Sequence, residues 1–237
     1  MWQEQQTGIF LGASRKPDDS YQKAEELLLK FANRHGIVTG ATGTGKTVTL
    51  QVLAEGFSNA GVPVFCADIK GDLSGLSMMG EAKDFLLARA ETIRLDPYEF
   101  AEYPVIFWDL FGEQGHPIRA TVSEMGPLLL SRLMNLSDAQ EGVLNIAFRI
   151  ADEEGMLLLD MKDLQAMLVN MAERAQEVGA RYGNVTRQSV GAIQRALLVL
   201  EQQGGTYFFG EPALKISDLM RTTRDGRGAI NVLAADK

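Results

Sequence analysis

The chain has 237 residues, 46% hydrophobic and 23% charged, a globular balance that excludes a mostly disordered chain, a collagen-like repeat and a small disulfide scaffold. Its 23 basic and 31 acidic side chains give a formal charge of −8, which argues against a compact basic module that grips nucleic acid through its own field. One cysteine (Cys66), a start without a signal-peptide core (Met1 to Gln6) and no apolar stretch near the roughly 20 residues of a membrane helix lead us to expect a cytoplasmic protein with no membrane partner.

Residues 1–34 read as an N-terminal segment. The first apolar run, Gly36-Ile37-Val38-Thr39, has the composition of a buried strand. Directly behind it stands Gly40-Ala41-Thr42-Gly43-Thr44-Gly45-Lys46-Thr47, an unbroken GxxxxGK(S/T), and then a helix-forming stretch from Lys46 to Ala60. Strand, glycine-rich loop and helix in that order make a phosphate-binding loop. Glycines 40, 43 and 45 lack Cβ, so the chain can wrap closely and turn successive N–H groups inward. The positive end of the helix favours a phosphate anion there. In this reading Lys46 reaches the β and γ oxygens and the Thr47 hydroxyl coordinates Mg²⁺. ATP and Mg²⁺ are therefore the expected ligands.

A second strand, Val62–Ala67, leads into Asp68-Ile69-Lys70-Gly71-Asp72. Strand carboxyl ends line the ligand crevice of an open α/β sheet, so Asp68 and Lys70 either face the phosphates or belong to a surface turn closed by Gly71. A helix is expected near 82–92, then a third strand, Val105-Ile106-Phe107-Trp108, ending at Asp109. Nearly continuous apolar strands alternating with helices predict a parallel sheet in an α/β fold.

Residues 122–203 change period and read as four consecutive amphipathic helices. Thr121 with Glu124 and Ser137 with Gln140 have capping-box spacing; Asp160 and Thr186 stand before the other two. Val143, Ala147 and Ile150 share one stripe, as do Leu164, Met167, Leu168 and Met171, and Val190, Ile193 and Leu197. Such faces supply one another with partners, so a four-helix subdomain inserted into the α/β core is expected. Met156, Met161, Met167 and Met171 are assigned to core filling. The core then comprises 35–121 and 204–237, closing with a strand at Ala229–Leu233.

Hydrolysis requires a carboxylate at the end of an apolar strand, to hold the metal or its water. Asp109 and Asp68 are both candidates; Asp160, after Met156–Leu159, fits a helix cap better; Asp236 follows the last strand. No run of four apolar residues is followed by Asp-Glu, so this chain by itself is expected to bind nucleotide but to turn it over weakly or not at all. His35 and His116 are far apart, and no zinc-ligand spacing exists. The net charges of 1–121, 122–203 and 204–237 are −5, −4 and +1. The loop Arg221–Arg227 carries the basic lean of the last segment and is read as a solvated loop, with nucleic-acid contact as the other reading.

Several landmarks besides the phosphate loop carry a family resemblance. Asn33-Arg34-His35-Gly36, Asp68 to Gly75, Gly115-His116-Pro117-Ile118-Arg119-Ala120-Thr121-Val122-Ser123 and Phe208-Phe209-Gly210-Glu211-Pro212 resemble the YjgR-like branch of the HerA/FtsK-type ATPases. The resemblance implies a RecA-like P-loop NTPase core interrupted by a helical bundle. It also implies homo-oligomeric rings, hexamers when intact, that couple ATP hydrolysis to movement along DNA or its unwinding. Members of that family continue into a strand ending in Asp-Glu, so the chain resembles the N-terminal portion of such a protein. The alternative is a nucleotide-dependent switch or assembly module that docks a protein partner through the acidic segment 122–203.

Overall fold

The computed structural model describes residues 7–235; Asp236 lies outside them. Its strands in chain order are β1 (Gly8–Arg15), β2 (Tyr21–Leu28), β3 (Val64–Asp68), β4 (Val105–Asp109), the two-residue β5 (His116–Pro117) and β6 (Ile230–Ala234). The main helices are α1 (Lys46–Asn59), α2 (Asp84–Ile93), α3 (Val122–Leu133), α4 (Asp138–Glu154), α5 (Met161–Glu173), α6 (Ala175–Tyr182) and α7 (Arg187–Leu200). The described residues form two compact units, 7–108 with 215–235, and 109–214.

In the first unit β6 lies between β3 and β4 and runs parallel to both, with Ile230 opposite Val64 on one side and Val105 on the other. This is the parallel sheet expected of the apolar runs, and the fold is α/β. Its core is Ala54, Leu73, Leu76, Ile230 and Val232, with Val64, Val105 and Phe107 packed against it. Burying Asn231 in the middle strand is possible because every polar atom of its amide is bonded. Its Oδ1 accepts from Trp108 Nε1 (3.0 Å), and its Nδ2 donates to the carbonyls of Val64 (3.1 Å) and Leu219 (2.9 Å). Trp108 is thereby tied into the sheet.

Helix α1 is fixed at its far end, where the Ser58 hydroxyl donates to the Gly228 carbonyl at 2.6 Å. The N-terminal segment supplies an antiparallel hairpin, β1 with β2. Ile9 of β1 is buried against Gly56 of α1, where an added Cβ would lie 2.4 Å from Ile9 Cγ2. Glycine at 56 is thus what lets the hairpin approach the helix.

One expected strand is not formed. Gly36–Thr39 is irregular, and Ile37 is 87% exposed. A strand needs a ladder partner for its N–H and C=O groups, and apolar composition alone does not provide one. Both edges of β6 are already occupied by β3 and β4.

In the second unit the helices begin where the caps foretold. The Thr121 hydroxyl oxygen accepts from Glu124 N–H (3.1 Å), and Thr121 N–H donates to the Glu124 carboxylate (3.1 Å). The Gln140 amide oxygen accepts from Ser137 N–H, the Asp160 carboxylate from Lys162 and Asp163 N–H, and the Thr186 hydroxyl oxygen from Ser189 N–H. Gly126 and Pro127 kink α3: a residue before proline is pushed out of helical geometry, and glycine can take φ 72° and ψ 166°. The core contains the three stripes named above, with Leu130, Leu144 and Val178. Met161, Met167 and Met171 are buried in it, whereas Met156 is exposed. The third expected helix is interrupted at Arg174, which leaves helical geometry and separates α5 from α6. Its guanidinium there pairs with Glu154 (2.9 Å) and Glu177 (3.0 Å).

The two landmark stretches flanking these helices meet. Ala120 N–H donates to Phe208 C=O (3.0 Å), and Gly210 N–H returns to Ala120 C=O (2.9 Å). The Arg119 guanidinium donates to the carbonyls of Tyr207 (3.2 Å) and Glu211 (2.6 Å). Both stretches therefore close the base of the helical unit.

Candidate phosphate-binding site

The segment Gly40 to Lys46 is curled. Gly43 and Gly45 adopt positive φ angles of 82° and 95°, a region in which a side chain would clash with its own backbone. Gly45 is also the residue that starts α1, and its carbonyl accepts from Thr49 N–H at 2.9 Å and the Thr49 hydroxyl at 3.0 Å. Gly40 is small for a different reason: a Cβ there would lie 2.4 Å from Thr44 Oγ1.

The centre of the curl is the Ala41 carbonyl oxygen. It accepts from Lys46 Nζ at 2.7 Å and from the Thr44 hydroxyl at 2.8 Å, while Thr44 N–H lies 3.4 Å away. The lysine therefore folds back over its own loop instead of extending into solvent. A carbonyl is a neutral acceptor, and a phosphate oxygen is a charged one that makes a stronger bond to an ammonium. The arrangement thus holds the lysine close to the loop with a bond that an anion can replace. Thr42 forms the exposed turn of the curl, and Thr47 is half-buried in the first turn of α1. The glycine conformations, the helix start and the lysine position together make a curled loop that leads into α1, with Thr47 as the second residue of that helix.

Asp68 ends β3 and is only 7% exposed. Its Oδ1 accepts from Lys70 N–H (3.2 Å) and Gly71 N–H (3.0 Å), its Oδ2 from Leu73 N–H (2.8 Å). Gly71 takes a positive φ of 74°, which lets the chain turn around the carboxylate. Gln51 of α1 donates to the Asp72 carbonyl (2.9 Å), tying this turn to the helix that follows the phosphate loop. Lys70 is exposed on the turn. Asp109, at the end of β4, has the same arrangement: 4% exposed, it accepts from the N–H groups of Phe111 (3.1 Å), Glu113 (2.6 Å) and Gln114 (2.9 Å). Both strand-end carboxylates thus organise the loop that follows them. The structure brings Ala41, Thr44 and Lys46 together and ties the Asp68 turn to α1; Asp109 belongs to the helical unit.

Sequence reasoning missed the Ala41 carbonyl, since a backbone acceptor leaves no trace in side-chain identity. It also missed Gln51, whose role depends on a contact 21 positions away. The basic loop near the end is largely self-neutralised, with Arg221 on Asp218 and Arg227 on Asp225, both at 2.7 Å. Among the described residues no group of three or more histidine, cysteine or acidic side chains is placed to hold a metal ion, and no helix is long and apolar enough to cross a membrane.

A family model described as helicase HerA-like C-terminal matches residues 13–237. No curated protein matches the chain. Among solved structures it is similar to VirB4 of Thermoanaerobacter pseudethanolicus, at 16% identity and a TM-score of 0.47, over 97% of this chain and 57% of that one. The chain thus spans little more than half the length of that structure.

Proposed function

The chain belongs to the helicase HerA-like C-terminal family, and from that membership and the curled loop we propose that it is the ATP-binding part of a motor ATPase. The observation that carries this reading is the Lys46 ammonium held 2.7 Å from the Ala41 carbonyl, over a loop that opens into the start of α1. Residues Gly40 to Lys46 would hold the phosphates through backbone N–H groups and the ammonium, and Thr47 would hold Mg²⁺. Bound Mg²⁺ would neutralise charge that develops on the β and γ oxygens. The work of this chain's residues is to bind and orient the triphosphate.

Asp68 and Asp109 each accept three hydrogen bonds from backbone N–H groups. A carboxylate so engaged favours turn formation over activation of water, and we assign both to shaping their loops. Hydrolysis coupled to DNA translocation or unwinding, in a homo-oligomer, is the activity that family membership suggests for the complete protein. The experiment is ATP turnover by the full-length protein with and without duplex DNA at moderate salt. DNA stimulation that Lys46→Ala abolishes is the expected result. Turnover indifferent to DNA at every salt concentration contradicts the motor reading and favours a nucleotide-dependent switch.

A further inference from the structure

Gln51 and Glu55 stand one turn apart on α1 and form one wall of a cavity of about 270 Å³. The opposite walls are built from the segments 75–81 and 98–103. They are joined by Tyr103 N–H donating to the Leu76 carbonyl at 3.1 Å. Tyr98 and Phe100 pack ring against ring with centroids 4.9 Å apart. The Phe100 ring lies on the bare backbone of Gly80, where a Cβ would come within 2.7 Å of Cδ1. The Tyr103 hydroxyl accepts from the Asn59 amide at 3.1 Å. These contacts fix the aromatic faces before any ligand arrives.

Glu55 has no hydrogen-bond or ion-pair partner among the described residues, although it is half-buried. Burial pushes its carboxyl above the ordinary range. Glu81 and Glu99 also line the cavity, and no lysine or arginine does. Arg227, whose guanidinium centre lies 5.9 Å from the Tyr103 ring centroid, is held outside by Asp225 and the Glu102 carbonyl. Aromatic faces beside an unpaired carboxylate are complementary to an organic cation, which gains from the rings and from the ion pair together. A planar guanidinium stacks on rings and forks onto a carboxylate, which a compact, strongly hydrated ammonium does less well. The volume lies just under the roughly 300 Å³ at which drug-sized sites begin, and suits a head group with its methylene stem.

We propose that this cavity binds a guanidinium group, presented by a free alkylguanidine or by an arginine side chain of a protein partner. The site shares none of its lining residues with the phosphate loop.

Calorimetric titration of the chain with agmatine and with the capped tripeptide acetyl-Gly-Arg-Gly-amide tests it. The peptide carrying neutral citrulline in place of arginine is the control. Saturable binding of a guanidinium probe is expected, weakened about tenfold or more by Glu55→Gln through loss of a charge-assisted pair and weakened also by Phe100→Leu, with no binding of the citrulline peptide. Agmatine binding without peptide binding identifies a free alkylguanidine as the ligand. Peptide binding at least as tight identifies an arginine side chain. No saturation with either probe, or affinities unchanged in both variants while circular dichroism shows them folded, overturns the proposal.

Discussion

Lys46 and Ala41 are joined across the glycine-rich loop, the side-chain ammonium of one donating to the backbone carbonyl of the other at 2.7 Å. The same carbonyl receives the Thr44 hydroxyl at 2.8 Å. One backbone oxygen therefore gathers the donors of the loop and holds the curl. Any change that moves Thr44 or Lys46 away from this oxygen loosens the loop.

Gly40→Ala is such a change, because its new Cβ would lie 2.4 Å from Thr44 Oγ1. Displacing a packed group of this size costs about 1–2 kcal/mol, or roughly tenfold in affinity for ATP·Mg²⁺. Thr44→Ala removes the obstructing oxygen. The double variant should therefore bind more tightly than Gly40→Ala alone, a coupling that a calorimetric double-mutant cycle reads directly.

Gly56→Ala should separate the N-terminal hairpin from α1. The added methyl meets Ile9 Cγ2 at 2.4 Å and Cγ1 at 2.8 Å. Overpacking of this kind destabilises by about 1–3 kcal/mol. Ile9→Ala opens space, so adding it to Gly56→Ala should cost less stability than making it in the wild type. Urea denaturation of the four proteins checks this, and strictly additive losses would contradict the contact.

Asn231→Ala removes the acceptor for Trp108 Nε1–H and the donor to Val64 and Leu219 from the middle of the sheet. Each buried group left unpaired costs about 1–3 kcal/mol. Destabilisation of ~2 kcal/mol or more is expected, with a change in tryptophan emission before unfolding. A loss within ~0.5 kcal/mol, as at an ordinary surface position, would contradict this role.

Glu55 gives a pH-dependent prediction. Burial raises its carboxyl from the ordinary 4.5, so the folded chain takes up this proton more readily than the unfolded chain. Its charged form therefore opposes folding above the raised value, and the penalty disappears as pH falls through that value toward 4.5. Glu55→Gln should melt at a higher temperature than wild type at neutral pH, and the difference should shrink on acidification. Melting curves across that range decide it, and a difference that is constant or grows toward acid would contradict the burial of this carboxyl.

Much of this architecture was legible because its signals are local. The side chains of Thr121, Asp160 and Thr186 cap their helices within three residues, and the glycines of the phosphate loop announce their own backbone geometry. What was illegible depends on distant partners. Tyr21 to Leu28 contains Ala-Glu-Glu-Leu-Leu, good helix formers, yet pairs as a strand because β1 lies beside it and Ile9 is anchored on Gly56. Conversely Gly36–Thr39 has strand composition and no ladder partner. The Glu55 cavity needs three separate segments to converge, so no spacing in the sequence marks it.

In the proposed function the loop from Gly40 to Thr47 receives the phosphates of ATP·Mg²⁺, with Lys46 as their cation. Calorimetric titration of ATP·Mg²⁺ into wild type and Lys46→Ala, paired with thermal melting, tests this most directly. Saturable binding and a raised melting temperature are expected in wild type, both lost in the variant while its circular dichroism is unchanged. No binding to wild type, or equal binding to the two proteins, would contradict it.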